Sequence, residues 1–191
     1  MQSNLQSKLV ELITISPTIV LDVRYATKNN IAGIIFYPSA RVFVQQPVAQ
    51  AVDAVQQELK LLGLGLKVFD GYRPLSVQKK FWELCPDDMK PYVADPAQGS
   101  NHNRGAAIDV TLISLENGQE LPMPSAFDDF SPCAHRDYAQ MPSDDIRKNC
   151  KLLELVMEKY GFVGLEHEWW HFDWYDCARY PLLDTPFDEL L

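Results

Sequence analysis

Two residues of metal-binding type stand close together, one in a polar loop and one inside an apolar run. His102 lies in the polar stretch before Gly105, and Asp109 lies in the middle of the run from Ala106 to Leu112. Imidazole and carboxylate groups are both good ligands for zinc. A loop histidine alone is more often solvated than metal-bound, but a carboxylate inside an apolar strand must be paired or ligated. The pattern therefore indicates half of a metal site, and a third ligand has to come from elsewhere.

The C-terminal region offers that third ligand in two ways. Residues His167 to His171 match HExxH, which binds zinc in zincins when it forms a helix that brings both histidines to one face. The surrounding aromatic residues favour an extended strand instead, in which the two histidines lie about 13 Å apart, too far to share one ion. We therefore favour the alternative, in which His171 joins His102 and Asp109, and Glu168 stays unligated beside the metal.

Three protein ligands leave a coordination position for water, as a catalytic zinc requires. Glu168 would take the proton of that water as it attacks a carbonyl and return the proton to the leaving amine. Arg73, held between Gly71-Tyr72 and Pro74 at the end of a strand, is a candidate for stabilising the oxyanion. An arginine in a turn is more commonly structural, so this role for Arg73 depends on the other residues.

The hydrophobic pattern predicts the elements that hold these residues. We expect strands over 18–25, 66–69, 106–113 and about 164–175, and helices over 3–13, 47–62, 75–84 and 143–160. The long connections at 26–41 and 114–142 are available to wall a cleft. Because the connections do not suggest regular βαβ winding, we predict an α+β fold in a single domain over 1–191. In this fold a mainly antiparallel central sheet is flanked by helices, with long loops around a zinc cleft.

Composition narrows the possible partners. The formal net charge of −9 over 191 residues, without a basic stripe, argues against nucleic acid and anionic membrane surfaces. No apolar run is long enough to span a membrane. The N-terminal residues lack the features of a signal peptide, so we expect a cytoplasmic protein, or a periplasmic one if a leader was removed. Nothing in the sequence indicates an oligomeric state.

The pattern Ser100-x-His102-x-x-Gly105-x-Ala107-x-Asp109, followed by Glu168-x-x-His171, resembles the zinc peptidases of the D-alanyl-D-alanine type. These include D,D-carboxypeptidases, VanX-type D-alanyl-D-alanine dipeptidases and certain phage endolysins. The dipeptidase branch is matched more closely, because three further segments resemble its signatures: Asp22–Gly33, Val68–Pro74 and Phe127-Asp128. The matched segments keep the family order from about residue 20 to residue 175, which is most of the chain.

The resemblance implies one zinc ion per chain and a set of seven site residues. These are the zinc ligands His102, Asp109 and His171, the general base and acid Glu168, the oxyanion-stabilising Arg73, and the substrate-binding residues Asp128, for the substrate ammonium, and Ser100, for its backbone. From the residues alone, Asp128 is equally well a solvated loop carboxylate. The chain also departs from the family pattern at Pro124, where glycine is usual, so the backbone near Asp128 is expected to differ.

The leading hypothesis is zinc-dependent hydrolysis of D-alanyl-D-alanine, or of a related D,D-dipeptide, as the small-molecule substrate. One alternative is a D,D-carboxypeptidase or endopeptidase that acts on longer peptidoglycan stem peptides. Another is a non-catalytic binding module that keeps the zinc for structure. The resemblance leaves open whether the reaction serves turnover of wall-derived dipeptide or removal of the D-Ala-D-Ala that vancomycin recognises.

Overall fold

The computed structural model describes residues 7–85, 87 and 90–190. The strands in this part of the chain are β1 (Leu9–Glu11), β2 (Val20–Leu21), β3 (Phe43–Gln45), β4 (Leu64–Asp70), β5 (Ala107–Ser114), β6 (Phe162–Gly164) and β7 (His171–Trp174). The α-helices are α1 (Leu12–Ile15), α2 (Gln46–Lys60), α3 (Leu75–Leu84) and α4 (Asp144–Lys159). Short 3-10 helices lie in the connections between them.

The main sheet has the strand order β2-β4-β5-β7-β6. The pairs β4–β5, β5–β7 and β7–β6 are antiparallel, and β2 runs parallel to β4. Strands β1 and β3 form a separate antiparallel pair. This arrangement confirms the predicted α+β fold with a mainly antiparallel sheet.

Helix α2 covers the sheet with one apolar face. Pro47 lies in its first turn, where the missing N–H has no partner to lose. Val48, Val52, Val55 and Leu59 recur at helical spacing and are completely buried. The helix packs against β4, so the predicted helix over 47–62 is confirmed with slightly different ends.

Helix α4 follows the capping signals in its sequence. The Ser143 hydroxyl accepts a hydrogen bond from the Ile146 N–H at 3.2 Å, and Asp144 and Asp145 place negative charge in the first turn. Helix α3 has the predicted bounds. None of the helices in the described residues is long and apolar enough to cross a bilayer.

Three expected elements differ from the structure. The strand expected over 18–25 is paired only at Val20–Leu21, and a 3-10 helix follows at 24–26. The strand expected over 164–175 is two short strands joined by the turn 165–170. The helix expected over 3–13 lies partly outside the described residues, and residues 9–11 form β1 because they pair with β3. That pairing joins residues more than 30 positions apart, which local periodicity does not reveal.

Strand β5 is the element that positions the site. All its residues from Ala107 to Ile113 are buried, with β4 on one side and β7 on the other. The register pairs Asp109 with Asp70 on β4 and with His171 on β7. The sheet therefore brings three polar residues, distant in sequence, side by side across its three inner strands.

Candidate metal centre and active-site cleft

His102 is presented by a 3-10 helix, Asn101–Arg104, at the end of the polar loop before β5. The Ser100 hydroxyl accepts a hydrogen bond from the His102 N–H at 3.2 Å and caps this helix. Gly105 ends it in a left-handed conformation (φ 63°), where a Cβ atom would clash with the Leu9 side chain. The serine and glycine of the sequence pattern thus have structural roles in holding His102.

His102, Asp109 and His171 are buried and offer ligand atoms that all lie within 4.8 Å of one another. His102 Nε2 lies 3.1 Å from His171 Nδ1 and 3.4 Å from Asp109 Oδ2, and His171 Nδ1 lies 3.0 Å from Asp109 Oδ1. Zinc bonds near 2 Å at tetrahedral angles place neighbouring ligand atoms about 3.3 Å apart. The spacing of the three side chains therefore fits one small metal ion.

The outer nitrogen of each imidazole is already engaged. His102 Nδ1 lies 2.7 Å from the Gly71 carbonyl oxygen, and His171 Nε2 lies 2.9 Å from Asp173 Oδ1. Both partners are acceptors, so these nitrogens carry the protons in the neutral rings, and the lone pairs of His102 Nε2 and His171 Nδ1 face each other. Two such lone pairs 3.1 Å apart repel unless a proton or a metal ion lies beside both, so the donor set suits a positive charge at this point.

The electrostatics of the three residues also favour positive charge between them. Burial opposes ionisation of Asp109, yet the facing imidazoles of His102 and His171 hold the pKa of this carboxyl well below its usual range. Burial likewise opposes charge on His171, yet hydrogen bonds to Asp109 and Asp173 raise its pKa well above the ordinary value. Both directions mean that His102, Asp109 and His171 together favour positive charge, whether a proton or a metal ion carries it.

Glu168 lies beside the three residues. Its Oε2 is 3.9 Å from His171 Nδ1, and its side chain is 17% exposed. Burial raises the pKa of this carboxyl. The structure therefore brings a partly accessible carboxylate to the edge of the candidate metal centre, as the sequence predicted.

Arg73 is fixed by a buried network at the end of β4. Its Nε and Nη2 donate to the Asp70 carboxylate at 3.1 and 2.7 Å, and its Nη1 donates to Gln78 Oε1 at 2.8 Å. Asp70 also accepts a hydrogen bond from the Tyr37 hydroxyl at 2.7 Å. Burial disfavours the guanidinium charge, but the Asp70 carboxylate holds the pKa of Arg73 well above its usual range. Arg73 thus lines the cleft with a charged guanidinium that its hydrogen bonds hold in one position.

Removing the Tyr37 hydroxyl tests how far this network stabilises the fold. We expect Tyr37→Phe to lower the free energy of unfolding by about 1.5–3 kcal/mol, because a buried carboxylate loses a hydrogen bond. Urea-induced unfolding followed by circular dichroism measures the change. The matched control is Tyr72→Phe, which removes a bond to the neutral Thr185 carbonyl and should cost about 0.5–1.5 kcal/mol. A Tyr37→Phe loss no greater than the control loss would contradict the expectation.

Asp128 faces the same cleft from the long connection 115–143. The Tyr25 hydroxyl lies 3.2 Å from both oxygens of its carboxyl group and donates its one proton between them, and burial raises the pKa of Asp128 to about 8. Its φ of 61° is the only positive value at a non-glycine residue among those described. The preceding Phe127 packs against Phe69 and Trp170, which anchors this strained turn.

These groups share one cleft of about 360 Å³. Its wall includes all seven predicted site residues, Arg73, Ser100, His102, Asp109, Asp128, Glu168 and His171. Aromatic side chains of Tyr25, Tyr92 and Phe130 complete the wall. A cleft of this size, apolar in part and with convergent polar groups, suits a small charged substrate.

The helical HExxH alternative is wrong for this chain. Residues 165–170 form a turn, and His171 begins β7. His167 is exposed and its ring packs against His135 at a centroid distance of 4.5 Å. Only His171 of the two motif histidines therefore reaches Asp109.

Sequence reasoning missed several residues of this site. Asp173 could have been found, because it lies two positions after His171 on the same face of a strand. Asp70 also carried a signal, since it is a carboxylate directly after a buried strand. Tyr25 and Gln78 carried none, because their partners lie across the fold.

Comparison with known proteins shows which family this chain belongs to. The sequence profile of a peptidase family described as D-ala-D-ala dipeptidase matches residues 5–189. A D-alanyl-D-alanine dipeptidase of Escherichia coli is 38% identical over 181 residues, covering 95% of this chain and 92% of that protein. Those of Enterococcus faecalis and Streptomyces coelicolor are 31% and 30% identical, covering 88% and 87% of this chain and 88% and 90% of the relatives.

Proposed function

This chain belongs to the D-Ala-D-Ala dipeptidase family of metallopeptidases, and we propose that it hydrolyses D-alanyl-D-alanine, or a related D,D-dipeptide, with one bound zinc ion. The observation that carries the proposal is the convergence of His102, Asp109 and His171, with the Glu168 carboxylate beside them. Free amino acids are the products. The proposal treats residues 1–191 as a single catalytic domain.

In this proposal His102, Asp109 and His171 hold the metal. When bound, zinc acts as a Lewis acid toward the scissile carbonyl and makes water more acidic. Gly71 and Asp173 keep the two imidazoles in the required tautomers, since each engages the outer ring nitrogen. The chain thereby supplies a rigid ligand set before substrate arrives.

Glu168 moves the protons. As general base its carboxylate takes a proton from the attacking water, and as general acid it delivers that proton to the nitrogen of the broken amide bond. Burial raises the pKa of Glu168 toward the range in which one group both accepts and releases a proton. Glu168 lies beside His171 but is not one of the three ligands, so its carboxylate is free to accept and donate the proton.

Arg73 stabilises the oxygen that gains charge during attack. Three of the five N–H groups of its guanidinium are engaged by Asp70 and Gln78, which leaves two for the substrate. Because the network fixes the side chain beforehand, little reorganisation accompanies the reaction.

Asp128 recognises the free ammonium of the dipeptide. Burial raises the pKa of the Asp128 carboxyl to about 8, so a cation close to it favours the ionised form at neutral pH. The substrate ammonium supplies such a cation, and the Tyr25 hydroxyl orients the carboxylate. Ser100 lines the same cleft, and in this proposal it contacts the substrate backbone.

Asp128→Asn separates dipeptide recognition from chemistry. We expect KM for D-Ala-D-Ala to rise about tenfold to a hundredfold, because the ammonium loses a charge-assisted hydrogen bond, while kcat changes less. Steady-state kinetics with the free dipeptide measure both constants. Asp129→Asn is the matched control, since Asp129 lies outside the cleft wall and its carboxylate accepts only the Ser131 N–H among the described residues.

The experiment that tests the function is a cleavage assay with D-Ala-D-Ala beside its N-acetylated form and a pentapeptide stem. The proposed dipeptidase should cleave the free dipeptide with a higher kcat/KM than the blocked or longer substrates, and Asp128→Asn should reduce this difference. A strong preference for the blocked or longer substrate would overturn the dipeptidase assignment in favour of a D,D-carboxypeptidase. Zinc binding without cleavage of any of them would indicate a binding module.

A further inference from the structure

The turn that carries Glu168 is only weakly held by its own backbone. It spans residues 165–170 between β6 and β7. Its internal hydrogen bonds, from Leu165 N to His171 O, Glu168 N to Leu165 O, and His171 N to Glu168 O, measure 3.2–3.3 Å. These lie at the long end of the range for N–H···O bonds, so other parts of the chain must fix the position of Glu168.

The Trp169 N–H donates to the Ala134 carbonyl at 3.0 Å, and the side chain that makes most contacts to the turn is Arg136, which lies outside the cleft. Arg136 Nε donates to the Leu165 carbonyl at 2.8 Å, and its Nη2 donates to the carbonyls of Glu168 and His171 at 3.2 and 2.8 Å. Its backbone N–H also donates to the Glu166 carbonyl at 2.9 Å. Arg136 therefore holds both ends of the turn, at Leu165 and His171, by short hydrogen bonds and adds a longer one to the Glu168 carbonyl between them.

The chemistry of this contact is specific to arginine. Three carbonyl oxygens converge on the planar guanidinium, whose donors are spread over a rigid fork. The guanidinium also lies 4.3 Å from the centroid of the Phe172 ring, where it makes a cation–π contact. Lysine concentrates its donors at one atom and cannot reproduce this geometry.

We propose that Arg136 is a positioning residue of the active site, which fixes the Glu168 carboxylate relative to His171 through their main-chain carbonyls. Arg136 is not among the residues that line the cleft. The inference rests on the proposed function, because it assigns Arg136 to the proton-transfer step that Glu168 performs. Loss of its contacts should move the base, whereas His171 is also held by the pairing of β7 with β5 and by its hydrogen bond to Asp173, so the ligand side chains should stay in place.

Gly164 provides an independent way to disturb the same contact. A Cβ atom at this position would clash with the Cζ, Nε and Nη2 atoms of Arg136. Because the obstacle is the end of a flexible side chain, Gly164→Ala is expected to displace the guanidinium without removing its charge. Arg136→Ala removes the guanidinium and Gly164→Ala displaces it, so both substitutions disturb the same contact with the turn.

The test measures kcat and KM for D-Ala-D-Ala per zinc-loaded molecule in Arg136→Ala, Arg136→Lys, Gly164→Ala and the Arg136→Ala/Gly164→Ala double variant. We expect kcat to fall about 10- to 100-fold in Arg136→Ala with little change in KM and with zinc retained. Arg136→Lys should recover only part of the loss. The matched control is Arg147→Ala, because Arg147 and Arg136 line one surface pocket outside the cleft, but the exposed guanidinium of Arg147 makes no hydrogen bond to described residues.

The double variant distinguishes positioning from a general effect on the fold. If Gly164→Ala acts by displacing Arg136, its loss of kcat disappears in the Arg136→Ala background. Additive losses would overturn the inference, as would a kcat within about twofold of the parent in Arg136→Ala, or full recovery in Arg136→Lys. Should Arg136→Ala fail to fold, Gly164→Ala and Arg136→Lys still report kcat. An inactive parent protein would contradict the proposed function instead, so the two failures are distinct.

Discussion

Glu168→Gln is expected to lose almost all dipeptide hydrolysis while the protein keeps its zinc. Glutamine has nearly the same shape as glutamate but cannot accept the proton of the attacking water. General acid–base groups contribute about a hundredfold to ten-thousandfold to turnover, so kcat should fall by that factor with KM little affected. Metal content stays unchanged because the three ligand atoms are those of His102, Asp109 and His171.

The measurement is steady-state turnover of D-Ala-D-Ala together with zinc analysis of the same samples. Glu166→Gln serves as the matched control, since Glu166 lies in the same turn with an exposed side chain and is absent from the cleft wall. It should retain the parent kcat. Undiminished hydrolysis by Glu168→Gln would exclude Glu168 as the base.

Substitution of any of the three proposed ligands should release the metal. We expect His102→Ala, Asp109→Ala and His171→Ala each to weaken zinc binding by more than about a hundredfold, the upper end of what loss of a supporting group costs. Activity should disappear with the metal. Titration of metal-free protein with zinc in the presence of a competing chelator measures the affinity.

His167→Ala is the control for this series, because His167 is the other histidine of the HExxH match. Its exposed ring contacts His135 and lies outside the ligand set, so zinc affinity should be unchanged. Zinc loss in His167→Ala but not in Asp109→Ala would contradict the site and restore the zincin alternative.

The local parts of the site could be predicted from the sequence. Ser100 and Gly105 bracket the short helix that presents His102, and capping residues act over a few positions. Asp109 was identifiable because a carboxylate in an apolar run demands a partner. Helices α2, α3 and α4 were predictable for the same reason, since Pro47 at the start of α2, the Ser143 cap of α4 and the apolar spacing of all three are local.

The long-range parts could not be predicted in this way. The register that places Asp109 opposite both Asp70 and His171 depends on two strand pairings and on an irregularity between Val68 and Asp70. Strand β5 is buried on both faces, so alternation of polar and apolar residues does not reveal its register. The hydrogen bonds of Arg136 to the turn 165–170 depend in addition on how that turn closes, which no periodicity specifies.

The most direct test of the central claim is zinc analysis coupled to D-Ala-D-Ala hydrolysis on one sample, before chelation, after it, and after zinc is restored. We predict about one zinc ion per chain, loss of activity on chelation, and recovery on zinc addition. Hydrolysis that continues at the same rate after the metal has been removed would contradict a zinc-dependent dipeptidase built on residues 102, 109 and 171.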